Sequence, residues 1–403
     1  MKASIILPFL FCSIGLFAQN STNTNSADFE LGEGLKVSLN DGDYEFAVSG
    51  MIQAYYGFQQ PESQDMQHFL NVKRSYLRIS GKAKNEKLSF MLQTDFSSPS
   101  PLLDAWLAYE PIEHLKITAG QKQSIANNRE MLMIEDHLTY ADRSVLSRQL
   151  ASSGREFGLF VEYKIKVGEL TFVPQAMVTS CDGKNSFGTD SRDVDFGGFK
   201  YGARLDIYPL GMFIKGNELQ VADLAHEDKL RFVLGGAASY NDGASHFVGE
   251  GHGDFIIYNE AGERQLPDYR KIYGDILVKY KGFSFLGEYG IATATSLKGT
   301  FTDPTATTKL LPTEISQYLA LGRAYNAQLG YVTKSGYAVD LSYAGLNREF
   351  DNNFSQLQDA TALTAGFAKY FKDNSLKVQA SYTNLNQNDF ITHQGQIMVQ
   401  VIF

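Results

Sequence analysis

The sequence contains no run of about 18 consecutive apolar residues, so nothing in it reads as a membrane-spanning helix. Cysteine is almost absent: of the 2 residues, Cys12 lies in an N-terminal apolar stretch and only Cys181 remains beyond it, which excludes an intramolecular disulfide. The 7 histidines are scattered at 68, 114, 137, 226, 246, 252 and 393, without metal-ligand spacing. No GxSxG or related nucleophile motif occurs, and Gly249–Gly253 lacks the strand–turn–helix setting and the Lys-Ser/Thr of a phosphate cradle. No enzyme, cofactor or metal is therefore expected. Basic residues are in deficit as well. Discounting Lys2 leaves 35 Lys and Arg against 45 Asp and Glu, a net charge of −10, which argues against nucleic acid as a partner.

What is present is tyrosine (22), phenylalanine (28) and glycine (36) against 10 prolines and a single tryptophan, a strand-rich balance. Residues 1–18 read as a signal peptide, with Lys2 as the basic n-region, Ile5–Phe17 as the apolar core and Leu16-Phe17-Ala18 before the cleavage point. Residues 19–43 read as a polar, mobile segment, and 44–403 as one domain.

That domain alternates. In NVKRSYLRISGK (Asn71–Lys82), Ser75, Leu77 and Ile79 oppose Arg74, Arg78 and Lys82. In LKITAGQK (Leu115–Lys122), Leu115, Ile117 and Ala119 oppose Lys116, Thr118 and Lys122. In EFGLFVEY (Glu156–Tyr163), Phe157, Leu159, Val161 and Tyr163 oppose Glu156 and Glu162. A period of two is a strand with one apolar and one polar face. Connectors alternate between tight turns, such as Lys281-Gly282 and Val167-Gly168, and longer polar stretches. About sixteen such strands predict an all-β fold: a transmembrane antiparallel β-barrel in the outer membrane of a Gram-negative bacterium. Gln123–Ser153, which does not alternate, is expected to be a long third loop folded into the lumen. Pro209–Lys229 reads either as a strand or as an irregular segment at the periplasmic rim. Gln59–Leu70 reads as a polar connection. Tyr44, Tyr55, Tyr109, Tyr163, Tyr208, Tyr280 and Tyr331 fall near strand ends, where barrels carry aromatic girdles. Asp190, Asp193 and Asp195 read as a solvated external loop rather than a Ca²⁺ site. The last strand, GQIMVQVIF, ends on Phe403 with Ile397, Val399 and Val401 on the same face.

KRSYLRISGK (Lys73–Lys82), QTDFS (Gln93–Ser97), LLDAWLAYEP (Leu102–Pro111), LKITAGQKQ (Leu115–Gln123), GREFGL (Gly154–Leu159), RLDIYPLG (Arg204–Gly211) and YKGFSFLGEYG (Tyr280–Gly290) together resemble the phosphate-selective porin O and P family in its Bacteroidetes form. The resemblance implies a sixteen-stranded channel, a homotrimer, and basic side chains lining the lumen and constriction. Here those are Arg74, Arg78, Lys82, Lys116, Lys122 and Arg204 on strands, and Arg129, Arg143, Arg148 and Arg155 in and after the long loop. Glu130, Glu135, Asp136 and Asp142 share that loop, and Asp104, Glu156 and Glu162 lie on the polar strand faces. Opposed charges set a transverse field rather than a clean anion filter. Passive diffusion of small polar solutes and anions is thus expected, with outer-membrane lipid and lipopolysaccharide as surroundings. The alternative is a non-transporting barrel that anchors an envelope complex.

Overall fold

In a computed structural model the described residues are 24–181, 183, 197–250, 253–295 and 299–403. The signal segment, Cys12, the Asp190/Asp193/Asp195 run and His252 lie outside them.

The N-terminal stretch is not an irregular tail. β1 (Ser26–Glu30) and β2 (Gly34–Leu39) form a hairpin, and β2 pairs in turn with the first barrel strand, from Leu35↔Val48 to Leu39↔Tyr44. The Lys36 and Val37 alternation that sets this pairing is short, which hides it in the sequence. The barrel strands are β3 (Tyr44–Pro61), β4 (Gln67–Ala83), β5 (Leu88–Asp95), β6 (Leu102–Tyr109), β7 (Leu115–Gln123), β8 (Arg155–Tyr163), β9 (Ile165–Val167), β10 (Leu170–Thr179), β11 (Lys200–Tyr208), β12 (Arg231–Asn241), β13 (Tyr269–Tyr280), β14 (Phe283–Ala294), β15 (Gly322–Val332), β16 (Tyr337–Arg348), β17 (Ala360–Lys372), β18 (Leu376–Gln387) and β19 (Phe390–Ile402). β8 and β9 are two pieces of one strand, since both pair with β10. That makes sixteen. Every neighbour is antiparallel, and β19 closes the ring on β3, from Ile402↔Met51 to Thr392↔Pro61. Closure leaves no barrel edge unpaired, which a bilayer requires.

The faces are inverted relative to a water-soluble barrel. On β13, Ile272 is 60% exposed while Lys271 is fully buried. On β16 and β17, Val339, Leu341, Leu363 and Phe367 point outward. Polar Glu288, Asn326, Gln328 and Gln379 point inward and are buried, because the lumen is largely filled. The tight β13–β14 turn has Lys281 at φ 48° and Gly282 at φ 90°, two consecutive left-handed residues that match the twist of a hairpin. A Cβ on Gly282 would collide with the Val332 carbonyl oxygen, so only glycine fits.

The short turns, at 84–87, 110–114, 168–169, 281–282, 333–336 and 373–375, lie at one end, the periplasmic end by the rule for such barrels. The exception is 209–230, which is irregular with one 3-10 turn (Asn217–Leu219) and buries Phe213, Asn217, Val221, Ala222, Asp223 and Glu227. Of the two expectations for this stretch, the rim segment holds. The β3–β4 hairpin extends further than its polarity suggests: strand structure runs to Pro61 and resumes at Gln67, where a 59–70 connection was expected. Tyr109, Tyr163, Tyr280 and Tyr331 are outward and exposed as a girdle requires, but Tyr208 is buried against Phe213 and Tyr55 lies beneath Lys73.

Candidate constriction in the lumen

Residues 124–154 enter the barrel between β7 and β8. They form α1 (Arg129–Leu132), a 3-10 turn (Glu135–His137) and α2 (Val145–Leu150), the last capped by the Ser144 hydroxyl accepting from the Ser147 amide. α2 puts Val145, Leu146 and Leu150 into a core with inward-facing Tyr269, Tyr273, Ala324, Ala344 and Ala362. Met133 and Leu138 pack instead with Phe213 and Val221 of the rim segment. The loop is thus held from the extracellular side by apolar packing and from below by 209–230.

Three strand lysines fasten these infolded segments by their carbonyls. Lys377 donates to Asp136 O (2.9 Å) and Leu138 O (3.0 Å). Lys271 donates to Leu150 O (2.9 Å) and Val248 O (3.1 Å). Lys279 donates to Ala222 O (2.8 Å) and to Asn217 O (2.5 Å). Each ammonium is buried, and its donors replace the water that the loop carbonyls lost. Lys271 and Lys200 also bind Glu250, which reaches in from the 242–268 loop, and Lys200 bridges to Glu156 at 3.1 Å. A second anchor is a four-charge square. Arg129 bonds Asp206 and Asp275, both at 2.6 Å, and Arg204 bonds Asp275 at 2.7 Å and Asp206 at 2.9 Å.

On the β3–β8 side the loop stands off the wall across one layer of charge. Strand register sets Arg78, Gln93 and Asp104 side by side. The loop presents Glu135 and Asp136 to them, and β8 adds Arg155. Arg78 bonds Asp136 (2.7 Å) and Gln93 (2.6 Å). Arg155 grips Glu135 with two donors (2.8 and 3.1 Å) and reaches Asp104 at 3.1 Å. Arg143 adds a contact to Glu135 at 3.3 Å and one to Met133 O at 2.7 Å. Above this layer lies a space of about 270 Å³ bordered by Arg74, Arg143, Arg148, Asp142 and Ser147. Below it, a space of about 950 Å³ is bordered by Lys82, Ser89, Trp106 and Lys116. Arg74, Arg78 and Lys82 share the inward face of β4 four residues apart, roughly 14 Å per step, with Tyr76 and Ser80 between them.

The ten basic residues expected at a lumen therefore divide. Arg78, Arg129, Arg143, Arg155 and Arg204 are ion-paired and hold the loop in place. Arg74 touches Gln53 and Ala141 O, Lys116 lies over Trp106 at 5.2 Å and Lys122 over Phe160 at 5.1 Å. Those three, with Lys82 and Arg148, have no carboxylate in ion-pair contact among the described residues, and Arg74, Lys82, Lys116 and Arg148 border the two spaces. Sequence reasoning missed Lys271, Lys279, Lys377, Gln93 and Glu250. The inward parity of the three lysines on their strands was a usable signal; nothing local marked Glu250.

The chain is similar to the in-vitro folded trimer form of OmpT, an outer-membrane protein of Vibrio cholerae, at 12% identity over 89% of this chain and 99% of that one, with a TM-score of 0.50. It is also similar to OprB of Pseudomonas putida in a high-pH structure, at 11% identity over 90% and 95% of the two chains, TM-score 0.53. At such identities the likeness is one of fold: a closed antiparallel barrel of the outer membrane. No family model and no curated protein matches the chain.

Proposed function

We propose that this barrel is a porin, a passive outer-membrane channel for small polar solutes that favours anions and carries out no chemical step. The observation that carries this is the pair of spaces on the β3–β8 wall, one on each side of the Arg78–Asp136 and Arg155–Glu135 layer and bordered by Arg74, Arg148, Lys82 and Lys116, which have no carboxylate in ion-pair contact among the described residues. Fixed positive charge in a narrow passage stabilises anions, and several weak sites in series allow release. The layer itself holds three carboxylates, Asp104, Glu135 and Asp136, against Arg78, Arg155 and the flanking Arg143, so anion preference arises from the vestibules rather than from the layer. Phosphate selectivity of the kind the sequence resemblance implies would draw on these same residues.

The test is conductance of the purified protein in a planar bilayer under a KCl gradient, with and without phosphate. Ohmic steps and an anion-favouring reversal potential are expected. In a variant carrying R74E, K82E and K116E, the anion-to-cation permeability ratio should fall by about threefold or more. A ratio unmoved by all three changes would remove them from the pathway. One observation favours a second reading, a non-transporting anchor: loops from both ends fill the lumen beside β11–β18. A folded, inserted barrel with no conductance would decide for it. A trimer is proposed on the sequence resemblance and on the similar OmpT trimer form.

A further inference from the structure

Two of the buried carboxylates outside the ion pairs lie side by side between the long loop and the wall. Glu130 at the start of α1 is 3% exposed and Glu288 on β14 is 5% exposed, and among the described residues neither has a lysine or arginine in ion-pair contact. Burying an isolated carboxylate is costly unless a cation compensates it. The two are adjacent: the Glu130 amide donates to Glu288 Oε1 at 2.7 Å.

Glu130 Oε2 accepts from the Ser144 amide (2.9 Å), the Ser144 hydroxyl (2.7 Å) and the Ser147 hydroxyl (2.5 Å), and three carboxamides complete the surroundings. Gln328 Nε2 donates to Glu130 Oε1 (2.9 Å), Asn326 Nδ2 to Glu288 Oε2 (2.8 Å) and Asn128 Nδ2 to Glu288 Oε1 (3.0 Å). All three residues are at most 3% exposed. In each the amide oxygen, Gln328 Oε1, Asn326 Oδ1 and Asn128 Oδ1, is buried with no hydrogen-bond partner. Three orphaned acceptors thus lie around two carboxylates that hydrogen-bond donors satisfy but no cation neutralises. An amide's oxygen and nitrogen are exchanged by a half-turn of the terminal group. That rotation would turn all three oxygens toward the carboxylates.

We infer that Glu130, Glu288, Asn128, Asn326 and Gln328 form a Ca²⁺ site that ties the long loop to the barrel wall. Glu130 Oε1, one or two oxygens of Glu288 and three amide oxygens supply five or six ligands, all hard oxygens of the kind calcium takes. Mg²⁺, smaller and insistent on a near-ideal octahedron with retained water, suits the set poorly. A cation here would neutralise both carboxylates and satisfy all three amide oxygens at once. The ligands come from the loop (Asn128, Glu130), β14 (Glu288) and β15 (Asn326, Gln328), so its binding strength adds to the loop's attachment. This goes beyond the porin reading and does not rest on it, since the ion would be held whether or not solutes pass.

The experiment is equilibrium dialysis of the full mature chain, folded in lipopolysaccharide-free detergent and stripped with EDTA, against CaCl₂. One Ca²⁺ per chain is expected, undisplaced by a tenfold excess of Mg²⁺, together with a Ca²⁺-dependent rise in Tm. Either E130Q or E288Q should weaken binding by about tenfold or more, and N326D, which adds a third carboxylate, should strengthen it by a similar factor. No stoichiometric Ca²⁺ on the wild-type chain overturns the proposal. So does Ca²⁺ binding that N326D leaves unchanged, an outcome readable even if the glutamine variants fail to fold.

Discussion

Glu250 sits in a glycine-rich stretch that looks like slack loop, yet its side chain is fully buried. It accepts from Lys200 at 2.9 Å, from Ser153 at 3.1 Å and from Lys271. Burial by itself would raise its carboxyl, but Lys200 and Lys271 hold it well below the ordinary glutamate value of 4.5. A depressed carboxylate contributes stability that is fully present above the unfolded value and is lost as pH falls through the folded one. The 242–268 loop should therefore stay fastened from pH 7 to pH 5. E250Q should lower Tm at neutral pH, because it leaves two buried ammonium groups short of a counter-charge, a change worth roughly 3–5 kcal/mol when a buried pair is broken. The difference between wild type and variant should then shrink below about pH 4.5. A constant difference across the whole range would mean that Glu250 acts by packing alone.

At the scale of elements, the long loop and the rim segment are one assembly. Lys377 holds Asp136 O and Leu138 O, and Met133 and Leu138 pack on Phe213 and Val221. K377M keeps the apolar stem but leaves Leu138 O buried without its donor, at about 1–3 kcal/mol, and Asp136 O with Gln400 Nε2 alone at 3.0 Å. Its expected signature is noisier current with a raised mean conductance in single-channel records. Deleting 127–150 should raise single-channel conductance severalfold, since the inward half of the barrel loses its filling. Unchanged conductance would place the pathway elsewhere. The inward course of residues 123–153 was legible because they break a period-two pattern over a length too great for a turn. The inward course of 209–230 was not, because its burial depends on Phe213 and Val221 finding Met133 and Leu138, which lie about 80 residues away in the chain.

For the whole molecule, closure rests on the two ends of the chain meeting. Gly50 and Phe403 exchange backbone hydrogen bonds of 2.6 and 2.8 Å, and the Phe403 ring lies over Gly50, where a Cβ would stand 2.8 Å from it. G50A should therefore push the terminal ring off the seam and lower the yield of heat-modifiable, folded barrel on gels. F403A should do the same with a smaller effect on the Tm of the chains that do fold. Equal yields for G50A, F403A and wild type would mean that the seam forms without the ring.

The sequence by itself determined the barrel, its sixteen-strand order of size, and which side chains turn inward. A period of two is a local property of the backbone, and a bilayer accepts strands only as a closed ring. Arg74, Arg78, Lys82, Lys116 and Arg204 could all be placed on inward faces for that reason. Only the tertiary structure decided which of those charges are free. Arg78 meets Asp136 from 58 residues away, and Lys377 meets the same residue's carbonyl from 241 away. Strand parity fixes the wall a side chain leaves but not the partner that crosses the lumen to meet it. That partner depends on how the loops pack, and the packing is set by apolar and ionic contacts between segments far apart in the chain.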